Sequence, residues 1–122
     1  VKRILIVDDS AVARSIVLRV LGPGYATEQA GSAAEAVARL RAAPPDLVLL
    51  DLLMPEQDGF AVLEAIRSGG PAVPVIVLSA DIQNSTRERV LAAGALSLIN
   101  KPVRPEELRP AVAAALAAAG EA

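Results

Sequence analysis

The chain has 122 residues, a length that fits one domain and leaves little room for a second, and 53% of them are apolar, enough for a sizeable core. Its net charge is −2 with acids and bases interspersed, which argues against a nucleic-acid-binding surface and against a polybasic membrane patch. It contains no Cys and no His, so a disulfide, a thiolate site, a Ser–His–Asp triad, a His-ligated zinc and a phosphohistidine cannot be built from this chain alone.

RILIV (Arg3–Val7) is a short run of branched residues that predicts a strand, and it ends at the acidic pair Asp8-Asp9. Val12, Ile16 and Val20 recur every four residues and place a helix soon after Asp9, capped by Asp9 or Ser10. YATEQA (Tyr25–Ala30) alternates and is a weaker strand candidate. SAAE (Ser32–Glu35) is a capping box; its helix carries Val37 and Leu40 and stops before Pro44-Pro45. DLVLLD (Asp46–Asp51) is a strand ending in an acid. Phe60, Leu63 and Ile66 mark a third helix, with Asp58 as a cap and Gly69-Gly70 as its end. VPVIVLS (Val73–Ser79) is a strand ending in a hydroxyl. STRE (Ser85–Glu88) is a second capping box, with Asp81 a further cap candidate and Gly94 the C′ residue of that helix. ALSLIN (Ala95–Asn100) is the last strand and ends before Lys101. The final helix opens with Pro105 and Glu106-Glu107, which suit the positive end of a helix dipole, while Pro110 predicts a kink or a weakened first turn.

Near-continuous apolar strands suit a parallel sheet buried on both faces. Five strands alternating with five helices predict an α/β sheet with helices on both faces, one domain spanning residues 1–122. No stretch has the apolar length of a membrane span and no signal peptide opens the chain, so a cytoplasmic protein is expected. The glycosylation-type triplet Asn84–Thr86 is a chance match in that setting.

Ligands of open α/β sheets bind beyond the carboxyl ends of the strands. The polar residues there are Asp8, Asp9, Asp51, Ser79 and Lys101. Any one of these acids alone reads as a helix cap, but Asp51 is followed by LLMP rather than by a helix start. Three neighbouring carboxylates stay ionised together only if a cation joins them, and oxygen ligands without His or Cys select a hard divalent ion such as Mg²⁺. A nearby lysine suits a phosphoryl group, and a carboxylate can itself become an acyl phosphate. The rim therefore predicts phosphoryl chemistry with Mg²⁺. Lysine is otherwise used only at Lys2, and Lys2, Glu28 and most arginines are expected to be solvated surface.

ILIVDDS, LVLLDLLMPEQDGF (with its D-x-x-M-P-x-x-D-G pattern), VIVLSA and GALSLINKP, in that order, resemble the receiver domain of two-component response regulators, and the resemblance covers nearly the whole chain. It implies a flavodoxin-like (βα)5 fold, a doubly wound parallel sheet of strand order 2-1-3-4-5. By the same resemblance Asp51 is the phosphoacceptor, and Asp9, Asp51 and the backbone carbonyl of Leu53 hold Mg²⁺, with Asp8 acting mainly through water. Ser79 binds a phosphoryl oxygen, Lys101 bridges the phosphoryl group and the acids, and small Ala80 keeps the site accessible. The peptide before Pro102 is expected to be cis. Leu98 occupies the switch position where the family often has an aromatic, Leu53 and Asp81 flank the phosphoryl group, and Arg104 stands where a hydroxyl cap is common.

The implied partners are a histidine kinase or a His phosphotransfer protein, and downstream a protein target or an effector domain missing from this chain. Such a domain is not an enzyme beyond catalysing its own phosphorylation and dephosphorylation. Two other readings stay open at this point. One is a phosphatase or phosphotransferase with an Asp nucleophile, which would usually show D-x-D rather than DDS at the first strand; the other is a receiver-like module that is never phosphorylated.

Overall fold

In a computed structural model that describes residues 1–51, 59–69, 73–80 and 84–120, the elements follow one another as β1 (Arg3–Val7), α1 (Ala11–Leu21), β2 (Ala26–Ala30), α2 (Ala33–Ala42), β3 (Leu47–Asp51), α3 (Gly59–Gly69), β4 (Val75–Ser79), α4 (Asn84–Ala92), β5 (Ser97–Asn100) and α5 (Pro105–Gly120). All strand pairs are parallel and the order is β2-β1-β3-β4-β5, so the flavodoxin-like expectation holds. The expectations placed on Leu53, Asp58, Gly70 and Asp81 lie outside the described residues.

Alternation along each strand sends its side chains into two separate cores. Leu5, Val7, Val48, Leu50, Val75, Val77 and Leu98 face one layer, closed by Ala33, Ala36 and Leu40 of α2, Val62 and Leu63 of α3, and Val90 of α4. Ile4, Ile6, Leu47, Leu49, Ile76, Leu78 and Ile99 face the other, closed by Val17 and Leu21 of α1 and by Leu108, Val112, Ala115 and Leu116 of α5. Each fully buried Leu or Ile contributes about 1.5–3 kcal/mol relative to exposure, so aliphatic burial on both faces offsets the near absence of aromatics. The polar edge strand β2 buries only Ala30, which suits a strand with one neighbour.

The helix ends explain themselves locally. Ser10 is the cap of α1: its Oγ accepts from the Ala13 N–H at 3.2 Å. Ser32 Oγ accepts from the Glu35 N–H at 3.1 Å, and the Glu35 carboxylate reaches back to the Gly31 N–H at 2.8 Å. After α4, Gly94 adopts φ 107°, its N–H bonds the Leu91 carbonyl and the Ala95 N–H bonds the Val90 carbonyl, the paired closure of a Schellman motif. A methyl group at Gly94 would meet nothing within 4 Å, so the cost of Gly94→Ala is purely that of the backbone angle. Urea unfolding of Gly94→Ala is expected to show a loss of about 1–2 kcal/mol.

Expectations at four places are refined or corrected. The repeat of Val12, Ile16 and Val20 marks α1 as expected; Val20 packs against the core, Val12 and Ile16 are 70% and 46% exposed, and Val17 and Leu21 are the buried residues. The helix α4 spans Asn84–Ala92, so Ser85 stands one residue inside it rather than before it. The helix α5 includes Pro110, and its first turn is made by the Leu108 and Glu107 N–H groups on the Arg104 carbonyl; the carbonyl that Pro110 leaves without a helical donor belongs to the exposed Glu106. Glu28 is not merely solvated. It forms a half-buried ion pair with Arg3 at 3.0 Å, and Arg3 also donates to the carbonyls of Ala43 and Pro44.

Candidate phosphoryl and cation site

Strand β1 lies between β2 and β3, so successive connections leave it toward opposite faces and open a crevice beyond its carboxyl end. Asp8 follows β1, Asp51 closes the neighbouring β3, Ser79 closes β4, and Lys101 follows β5. Adjacent parallel strands therefore deliver all four to one rim, as expected from their positions in the sequence. The register pairs Asp51 with Leu78 and Ser79 with Asn100, which keeps the rim level.

One carboxylate oxygen from each of Asp8, Asp9 and Asp51 lies within 4.8 Å of the others. Asp8 and Asp51 are buried and Asp9 is exposed. Lys101 Nζ sits between the buried pair, 3.2 Å from Asp8 Oδ2 and 3.5 Å from Asp51 Oδ1. One ammonium against three carboxylates leaves the cluster with excess negative charge. A site with that charge and only oxygen donors fits a hard divalent cation.

Asp8 is anchored at every polar group. Its Oδ1 accepts from the Ser10 N–H at 2.9 Å, its Oδ2 accepts from Lys101, and its N–H donates to the Ala30 carbonyl at 3.1 Å. Its own carbonyl accepts from Arg14 Nη1. Ser79 is fully buried, its carbonyl accepts from the Lys101 N–H at 2.8 Å, and Ala80 beyond it is exposed. The Lys101–Pro102 peptide is cis, as the resemblance implies. Leu98 is buried in the α2–α3–α4 layer beside its register partner Val77.

Arg14 is the residue near the site that sequence reasoning passed over. It lies on the first turns of α1, and its guanidinium returns to Asp8 and to Gln29 of β2. The only local sign was an arginine six residues after a strand-end acid, which says nothing about a strand pairing with β1 from further along the chain.

Fold and rim together define a class: a doubly wound parallel α/β domain with an acidic cluster that could hold a cation and a lysine beyond its strand ends. The chain belongs to the response regulator receiver domain family, whose family model matches residues 4–113. It is 40% identical over 107 residues to the response regulator MprA of Mycolicibacterium vanbaalenii, covering 87% of this chain and 46% of that protein. It is 39% identical over 104 residues to protein-glutamate methylesterase/protein-glutamine glutaminase 5 of Myxococcus xanthus, covering 82% of this chain and 30% of that protein. The chain thus spans half or less of the length of these curated relatives. Among solved structures, a CheY-like response regulator receiver domain protein from Methanospirillum hungatei superposes with a TM-score of 0.90 at 30% identity, covering 99% of this chain and 98% of that one. Among the described residues, no helix is long and apolar enough to cross a membrane.

Proposed function

We propose that this receiver accepts a phosphoryl group on Asp51 from a histidine kinase or a His phosphotransfer protein, and that the modification switches a partner-binding surface. The observation that carries the reading is the placement of Lys101 Nζ between Asp8 and Asp51 within the three-carboxylate cluster. Residues 1–122 contain no histidine, so a phosphohistidine donor has to lie outside them.

In the transfer, an Asp51 carboxylate oxygen attacks phosphorus. The P–N bond of the donor breaks, and the imidazole leaves with the electron pair and takes up a proton from water. Asp9, Asp51 and the Leu53 carbonyl would hold Mg²⁺, with Asp8 orienting its bound water. When bound, the ion offsets the repulsion among the carboxylates and the charge on the transferred oxygens. Lys101, already at Asp51, meets a second phosphoryl oxygen as a compact point charge. Ser79 donates its hydroxyl to a third, which draws the β4–α4 segment inward, while Ala80 leaves the approach open. That movement biases the surface formed by α4, β5 and α5, where buried Leu98 shifts rotamer in response.

The chain is one receiver domain over residues 1–122, cytoplasmic, with no enzymatic role beyond its own phosphorylation and dephosphorylation. Its output is either a separate protein or an effector domain of a longer chain. The test is intact mass after incubation with acetyl phosphate and Mg²⁺. The expected result is a gain of one phosphoryl group that EDTA prevents; an unchanged mass would leave a receiver-like interaction module.

A further inference from the structure

Asp9 is the exposed member of the cluster, and among the described residues no ion pair engages its side chain. Its direction is therefore set by the backbone, and the peptide that sets it is the one joining Asp8 to Asp9. The carbonyl of that peptide accepts from Arg14 Nη1, while Arg14 Nε donates to Gln29 Oε1 at 2.9 Å. Two anchor points fix the plane of a guanidinium, which a lysine ammonium cannot reproduce. The Asp8 N–H donates directly to Ala30. Both peptide groups of Asp8 are thus tied to β2, one directly and one through Arg14.

Helical side chains lean toward the N-terminus of their helix, which lets Arg14 reach back over the turn that carries Asp9. The guanidinium passes close to Gly31, next to Ala30: a Cβ there would stand 3.4 Å from Arg14 Nη1, within ordinary contact. The distal partner Gln29 is neutral, so it takes a hydrogen bond without cancelling the charge.

We propose that Arg14 is a positioning residue for the cation site: it holds the Asp8–Asp9 peptide in the orientation that turns the Asp9 carboxylate toward Asp51. A carbonyl turned to the guanidinium cannot turn into the site, and rotation of that peptide would swing Asp9 away. The inference rests on the Mg²⁺ reading of the same cluster.

The test is calorimetric Mg²⁺ titration of the wild type, Arg14→Ala, Arg14→Lys and Gln29→Ala, with phosphorylation by acetyl phosphate followed over a range of Mg²⁺ concentrations. Losing a group that orients a metal ligand typically weakens affinity by about 10–100-fold, and Arg14→Ala is expected at the low end, about tenfold. Arg14→Lys keeps the charge but not both anchors and should recover only part of the loss. Gln29→Ala, on an exposed edge position, should weaken binding about two- to threefold by freeing the guanidinium. At saturating Mg²⁺ the phosphorylation rate of Arg14→Ala should return to within about twofold of the wild type, because ligand orientation and not transfer was impaired.

Wild-type Mg²⁺ affinity in folded Arg14→Ala, full recovery in Arg14→Lys, or a rate that stays low at saturating Mg²⁺ would each overturn the inference. Should Arg14→Ala fail to fold, unchanged affinity in Gln29→Ala overturns it instead. A wild type that binds no Mg²⁺ removes the underlying reading together with the inference, whereas wild-type binding with unaltered variants removes the inference alone.

Discussion

Asp51→Asn is expected to reduce phosphoryl incorporation by at least about a hundredfold, to background, because an amide does not supply the anionic oxygen that attacks phosphorus. The substitution nearly preserves shape at a buried position at the end of β3, so the fold should survive it. It also removes one of three mutually repelling carboxylates, which should weaken Mg²⁺ binding and with it the thermal stabilisation that Mg²⁺ confers. Intact mass after acetyl phosphate treatment, with melting scans in Mg²⁺ and in EDTA, reads both effects. Labelling of Asp51→Asn at the wild-type level would place the acceptor elsewhere on the chain.

Lys101→Arg is expected to separate cation binding from switching. The ammonium stands between Asp8 and Asp51 at 3.2 and 3.5 Å and is about a quarter exposed. A guanidinium is planar and forks onto one carboxylate, so it would settle on one acid and crowd the space for a phosphoryl oxygen. Positive charge at the rim is retained, and Mg²⁺ affinity should stay within about threefold of the wild type. The phosphorylation-linked change should fall by about tenfold or more, read by NMR shifts of α4 and β5 amides or by phosphorylation-dependent partner capture. A full response in Lys101→Arg would show that any cation suffices there.

These results would bear on residues whose identity was legible early for a simple reason. Strand ends in a parallel sheet share one rim, so polar residues closing apolar runs can be assigned to a common site before any distance is known. Asp8, Asp9, Asp51, Ser79 and Lys101 fall on one rim by this rule, although Lys101 and Asp8 are 93 positions apart. Arg14 was not, because its partners depend on which strand lies beside β1. Its own neighbours on α1 carry no trace of Gln29 or of the Asp8 carbonyl.

The elements, their alternation and the residue types along the rim are legible in the sequence, since helix caps, branched runs and strand-end acids are local signals. Which faces those elements bury depends on their neighbours in the fold. In α1, Val12 and Ile16 recur at the same four-residue spacing as Val17 and Leu21, so periodicity alone allows either stripe to face the core. The choice is made by the neighbour: α5 packs its Leu108 and Val112 into the layer that holds Val17 and Leu21, and Arg109 Nε donates to the Val20 carbonyl at 2.9 Å at the far end of α1. That contact leaves Val12 and Ile16 outside and aims the first turn of α1, with Arg14 on it, at the acidic rim.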